Sequence, residues 1–267
     1  MNTFHLFLLA LIQGITEFLP VSSSGHLILL PQFLNVEDQG LMLDVAVHVG
    51  TLGAVMLYFW RDMLRLLVGV GHVATGRFST PQARLFLLLG FATIPVVIVG
   101  LLLKMAGIME SLRSMEVIGW TMLIFGIVLY VADKKGEEIK QSDGWTWRDA
   151  LIMGLAQTVA LIPGTSRSGI TITAARGLGY TRTEAARLSM LMSVPTIMAS
   201  GVLLGKDVVE AGDWSLLKEA GIAAGLAFVA ALLALTLMMR LLKSTSFTPY
   251  VIYRIGLGGL LLWLAYS

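Results

Sequence analysis

A carboxylate, a hydroxyl and an imidazole, those of Glu17, Ser23 and His26, fall within one short apolar stretch, Gln13–His26 (QGITEFLPVSSSGH). Hydroxyl-nucleophile chemistry needs such a set: an attacking oxygen, a base within hydrogen-bond reach and a third group that orients the base. A second stretch, Pro163–Thr171 (PGTSRSGIT), supplies the complement. There Arg167 offers a planar five-donor fork that matches phosphate oxygens. It is flanked by the hydroxyls of Thr165, Ser166, Ser168 and Thr171, while Gly164 and Gly169 permit close approach to the backbone. The amides of Ser168 and Gly169 open a following helix, whose dipole also favours an anion. Together the two stretches fit attack on a phosphorylated, polyanionic substrate whose charge Arg167 neutralises.

Neighbouring residues sort by spacing. Gln13 and Glu17 are four apart and share a helix face, and the neutral amide of Gln13 suits positioning rather than proton transfer. Ser22, Ser166, Ser168 and Thr171 are read as phosphate-binding hydroxyls, although a serine-rich turn standing alone is ordinarily a cap or loop. Asp44 and His48, again four apart, fit equally a pair supporting the first stretch and an internally satisfied pair near an interface. Arg254, deep in an apolar run, requires an anionic partner, whereas Tyr250 and Tyr253 read as interfacial aromatics. His5 and His72 stand alone near interfaces and are assigned no function.

The elements that position these groups follow from composition. Of 267 residues, 56% are hydrophobic and 13% charged, and the mean hydropathy is +0.81, outside the range of soluble domains. The chain reads as a single integral membrane domain over 1–267. A net charge of +2 without any basic run interleaved with aromatics excludes a nucleic-acid surface, and the absence of cysteine excludes disulfides, thiolate zinc sites and thiol nucleophiles. The apolar start, broken by Gln13 and Glu17 and lacking a basic flank, reads as a retained helix and not as a signal peptide. A central charge at membrane depth costs roughly 2.5 to 3.5 kcal/mol on insertion scales unless it faces protein or water. The two polar stretches therefore mark a site.

Six runs are long enough to span: Leu41–Trp60, Leu85–Leu103, Met115–Val131, Ala185–Leu204, Ile222–Met239 and Pro249–Tyr266. Two shorter pieces, Phe4–Leu19 and Ala150–Ile162, each end in a proline and a Ser/Gly-rich turn and are predicted as re-entrant hairpins, allowed only where the broken backbone is buried in protein or lines a wet cavity. Basic residues crowd four connections (Arg61, Arg65, Arg77, Arg84; Lys134, Lys135, Lys140, Arg148; Arg176, Arg182, Arg187; Arg240, Lys243), which the positive-inside rule makes cytoplasmic. The acidic Lys206–Glu219 loop and the balanced Lys104–Glu116 loop are then external. On this topology the hairpins enter from opposite faces. The expected fold is an all-α polytopic membrane protein, six transmembrane helices plus two re-entrant helical hairpins in an inverted-topology repeat, with halves of about 1–132 and 145–267 and the site where the broken elements meet.

At these residues the chain resembles the undecaprenyl-diphosphate phosphatase family of the bacitracin-resistance type. The resemblance rests on the Glu/Gln-x-x-x-Glu stretch, here Gln13 to Glu17, running into the Ser-rich turn Phe18–His26, on the PGxSRSxxT stretch Pro163–Thr171, and on the tail segment Phe247–Tyr250. It implies hydrolysis of undecaprenyl diphosphate to the monophosphate, recycling the lipid carrier for cell-wall synthesis and conferring bacitracin resistance, in a pocket opening to the external side of the bacterial cytoplasmic (inner) membrane. It also implies a divalent metal, Mg2+ or Ca2+, with Glu17 as a metal ligand, Gln13 at the metal or phosphate, Ser23 and His26 in nucleophilic and acid/base roles, and Arg167 holding the diphosphate. Whether Ser23, His26 or water attacks phosphorus is left open. The expected partners are the lipid substrate and the membrane, with a homodimer as a further arrangement. The rival reading is a lipid or small-molecule transporter or flippase, since inverted repeats with broken helices also build alternating-access carriers; it moves substrate without releasing phosphate. Lipid phosphatases with PSGH and SRxxxxxHxxxD signatures need a histidine downstream of the arginine, and none follows His72.

Overall fold

The computed structural model describes residues 3–34, 40–211 and 217–267. In chain order its helices are α1 (Thr3–Thr16), α2 (Ser23–Leu34), α3 (Leu41–Tyr58), α4 (Trp60–Ala74), α5 (Pro81–Met105), α6 (Met115–Lys135), α7 (Trp147–Thr158), α8 (Arg167–Gly177), α9 (Arg182–Ala211), α10 (Leu217–Leu241) and α11 (Thr248–Tyr266). Six of these, α3, α5, α6, α9, α10 and α11, are long and apolar enough to cross a membrane, and each contains or overlaps a run expected to span. The protein is an all-helical, multi-pass membrane protein. The acidic loop after α9 falls partly on residues 212–216, outside the described residues.

Local sequence sets the helix starts. The Thr80, Ser114 and Thr146 side chains accept hydrogen bonds from the amides of Ala83, Val117 and Asp149, caps worth about 1 kcal/mol each. Packing is set by small residues. A Cβ placed on Gly14 of α1 would lie 2.6 Å from the Ala230 Cβ of α10, so this close approach tolerates no side chain. Leu6, Leu9 and Ala10 share a cluster with Ala220, Ala223 and Ala227; α1 therefore runs parallel to α10. In the same way α7 runs parallel to α5: Arg84 donates to the Trp145 carbonyl, and further along Gly154 abuts Ala92. The central core gathers around α9, where Leu188, Met190 and Met192 meet Phe18, Leu88, Met153 and Ile172.

The first basic connection is more ordered than a loop. It holds α4, whose Trp60, Leu64, Leu67 and Val68 recur at helical spacing on an exposed face. The buried Asp62 of α4 meets Arg187 of α9 at 2.6 Å. A second knot joins the remaining basic connections: Asp133, at the end of α6, accepts from Arg176 (3.1 Å), Arg182 (2.8 Å) and the Phe247 amide (3.2 Å). Beside it the Tyr180 hydroxyl donates to Asp149 at 2.8 Å; burial and that carboxylate hold the phenol well above its usual range. Arg176, Arg182 and Arg187 are thus absorbed in fixing helices.

Candidate active site

The two polar stretches form two breaks between short helices. α1 stops at Thr16, whose hydroxyl turns back to the Ile12 carbonyl (2.7 Å), and Pro20 cannot continue it. The chain re-enters a helix through Ser22, which stands at φ 73°, while its Oγ accepts from the Gly25 amide (3.3 Å). The second break repeats this: α7 ends at Thr158, Pro163 follows, and Ser166 at φ 72° accepts from the Gly169 amide (3.1 Å). Ser22 and Ser166 are the only non-glycine residues with positive φ among those described. A non-glycine side chain rarely adopts this conformation, and when it does a functional site is a common setting.

The breaks meet at Glu17, which is buried. Its Oε2 accepts from Gln13 Nε2 at 2.9 Å and from Ser23 Oγ at 2.6 Å. Its Oε1 accepts from Arg167 Nη2 at 2.8 Å across the junction. His48 on α3 leans in, its Nε2 3.9 Å from Glu17 Oε2 and its Nδ1 2.7 Å from the Asp44 carbonyl. Three expected site residues, Gln13, Ser23 and Arg167, thus converge on a fourth. Ser168 donates to the Leu19 carbonyl (2.9 Å), fastening the second break to the first. Thr171 bonds the Arg167 carbonyl (2.8 Å) and Ser189 Oγ (2.6 Å). Ser22 and Ser166 serve their own turns as caps, each near the serine two residues on. His26 stands apart from Glu17 and Ser23: its Nδ1 lies 2.6 Å from the Ser22 carbonyl and its Nε2 2.6 Å from the Tyr253 hydroxyl.

Arg254 departs from expectation. It is fully buried, yet its guanidinium meets backbone carbonyls where an anionic partner was expected: Pro20 (3.4 Å), Met122 (3.3 Å), Thr121 (3.3 Å), Gly164 (3.1 Å) and Thr165 (2.8 Å). Three of the five, Pro20, Gly164 and Thr165, belong to the breaks, and Thr121 and Met122 to the continuous helix α6. Interrupted helices leave carbonyls without intrahelical donors, and one five-donor side chain can satisfy several. Tyr253, expected only as an interfacial aromatic, is 47% exposed and also reaches His26. Ser189 and Thr121, whose hydroxyl donates to the Pro163 carbonyl at 2.6 Å, carried no signal beyond being single polar residues in buried runs.

A hard divalent cation takes six or more oxygens, and Mg2+ is commonly held by one or two carboxylates plus substrate phosphates. Among the described residues no group of three or more His, Asp and Glu is arranged to hold a metal. The site nevertheless offers oxygens that fit a cation arriving with a diphosphate: the Glu17 carboxylate, the Ser23 hydroxyl and the Gln13 Oε1, which is buried without a hydrogen-bond partner.

Fold and site together define a polytopic membrane protein with a buried carboxylate, hydroxyl and guanidinium centre at the meeting of two broken helices. The chain belongs to the family described as bacitracin resistance protein BacA, whose model matches residues 6–260. Over its full length, and all of theirs, it is 65% identical to an undecaprenyl-diphosphatase of Jannaschia sp. (strain CCS1) and 63% identical to one of Ruegeria pomeroyi. A relative of the same name from Chromohalobacter salexigens is 47% identical over 99% of the chain.

Proposed function

We propose that the chain is a membrane phosphatase that hydrolyses undecaprenyl diphosphate to undecaprenyl phosphate and inorganic phosphate. The names of its full-length relatives support this substrate. The observation that carries the chemistry is the Glu17 carboxylate, shared by Ser23 at 2.6 Å and Arg167 at 2.8 Å. Arg167 is the phosphate clamp: terminal phosphate oxygens compete with Glu17 for its fork, and displacing the carboxylate leaves it free to accept a proton. Ser23 attacks the terminal phosphorus, passing its proton to Glu17 as the Ser23 Oγ–P bond forms and the bridging P–O bond breaks. His26, on the helix after the same turn and in its imidazolium form, gives its Nε2 proton to the leaving monophosphate. Water then attacks the phosphoserine phosphorus, passing a proton to the now-neutral His26, while Glu17 returns its proton to Ser23 Oγ as the Oγ–P bond breaks and inorganic phosphate leaves. Gln13 orients the carboxylate. A divalent ion carried on the diphosphate would be held by Glu17 and Gln13 and would neutralise phosphate charge.

The same reading places the site in an inverted repeat of the bacterial inner membrane. Its supports are the equal spacing of Gln13 to Ser22 and Gln157 to Ser166, the matching turn geometry, and the helix directions. α10 starts at the acidic connection and ends at Arg240, so α1, parallel to it, enters from outside; α7, parallel to α5, enters from the side of Arg84. The first hairpin carries Glu17, Ser23 and His26, so the pocket opens externally. The test is phosphate release from a long-chain polyprenyl diphosphate by purified protein in detergent, with and without Mg2+ or Ca2+. Turnover that requires Ser23 and traps phosphate on it is expected. A protein that releases no phosphate with metal present overturns the reading. The mass of the solubilised particle reads the homodimer expectation in the same preparation.

A further inference from the structure

We propose that Tyr253 is a positioning residue of this site, fixing the tautomer and the plane of His26 through its phenol hydroxyl. The Nδ1 of His26 lies 2.6 Å from the carbonyl of Ser22, one helical turn back. A carbonyl only accepts, so Nδ1 carries the hydrogen. In the neutral ring Nε2 is then the bare nitrogen. The atom facing it at 2.6 Å is the Tyr253 hydroxyl oxygen, and a phenol can donate there. Were His26 to become an imidazolium, the same oxygen would accept from Nε2–H, so one partner serves both protonation states without moving the ring. The two rings lie within 9° of parallel, with their centroids 5.7 Å apart.

The element that presents Tyr253 is itself anchored to the same turn. Its chain neighbour Arg254 grips Pro20, just ahead of the Ser22–His26 segment, and Gly164 and Thr165 in the other break. Adjacent residues on a helix point about 100° apart, so α11 holds the first break at two places, Pro20 through Arg254 and His26 through Tyr253. A tyrosine placed only to sit at a membrane interface would have no need of a histidine nitrogen.

Only the kinetic consequence rests on the phosphatase reading; the tautomer can be read without turnover. In protein labelled with 15N-histidine, Tyr253→Phe should shift the His26 Nε2 resonance, with the melting temperature in detergent retained. It should lower kcat about 10-fold, the scale of one lost hydrogen bond, with KM within about twofold. Because Tyr253 acts through His26, the Tyr253→Phe/His26→Ala double variant should be no slower than His26→Ala alone. An unmoved Nε2 resonance, or losses that multiply in the double variant, overturns the proposal. If the protein releases no phosphate from any polyprenyl diphosphate, the phosphatase reading falls and the resonance still decides the role of Tyr253.

Discussion

The two breaks share one backbone and differ in chemistry. Ser22 and Ser166 stand at nearly the same positive φ, 73° and 72°, and each accepts from the amide of the glycine three residues on, Gly25 and Gly169. In the register this sets, Ser23 of the first break stands where Arg167 stands in the second, Glu17 where Leu161 stands, and His26 where Ile170 stands. On the proposed reading, a repeated turn therefore presents nucleophile, base and acid from one side and an anion clamp from the other. A polyanionic substrate needs both, and a single short hairpin has too few side-chain positions to supply them in one volume. The breaks also differ just before the serine: the first has Pro20, the second Gly164 at φ 87°, packed against Ile118 and Thr121 of α6.

The comparison breaks most sharply at the contact joining the two sides. Glu17→Ala and Arg167→Ala should each lower phosphate release at least ~100-fold, the scale of removing one preorganised charge contact to the transition state. Arg167→Ala also leaves the buried Glu17 without its closest counter-charge, a change that destabilises by roughly 3 to 5 kcal/mol in buried pairs, and Glu17→Ala leaves the partly buried Arg167 unpaired at a smaller cost. The melting temperature should therefore fall along with turnover. Retained activity in both variants would mean that the breaks meet for packing alone. Turnover lost in one and kept in the other would mean that only one side does chemistry.

Much of this was legible in the sequence, and the part that was not shares a physical cause. Six spans stand out because an apolar run of about 20 residues has few other uses. The two breaks stand out because polar residues beside Pro and Gly are costly at that depth. Gln13, Glu17, Ser23 and Arg167 were all readable from those stretches. Tyr253, Arg254 and Ser189 were not readable in their observed roles, since each is one polar residue on a distant span. Which span lies beside which break is decided by close approaches such as Gly14 to Ala230 and Gly154 to Ala92. No periodicity announces those contacts. α4 was missed for another reason: it is amphipathic and 15 residues long, too short for a span and too charged to stand out by hydropathy.

A smaller effect belongs to Gly164. Its positive φ and the Ile118 carbonyl 2.7 Å from where a Cβ would sit exclude a side chain. Gly164→Ala should lower stability by at least ~1 to 3 kcal/mol from backbone strain alone, read as a lower melting temperature in detergent. An unshifted melting temperature would mean that the second break is loose where the first, with Pro20, is stiff.

The smallest effect tests whether the turns are truly equivalent. Each serine contributes a cap worth about 1 kcal/mol while paying the left-handed strain that glycine avoids. Alanine loses the cap and keeps the strain, whereas glycine loses the cap and relieves the strain. Ser166→Ala should therefore cost about 1 kcal/mol and Ser166→Gly only a few tenths. If the turns are the same device, Ser22→Ala and Ser22→Gly should give the same two values within about 0.5 kcal/mol, the usual spread for independent sites. The Ser22 carbonyl also carries His26, but through its backbone, which glycine retains. A Ser22 pair that departs from the Ser166 pair would show that the first turn is held by its partners on α11, and that the shared backbone is a consequence of that grip.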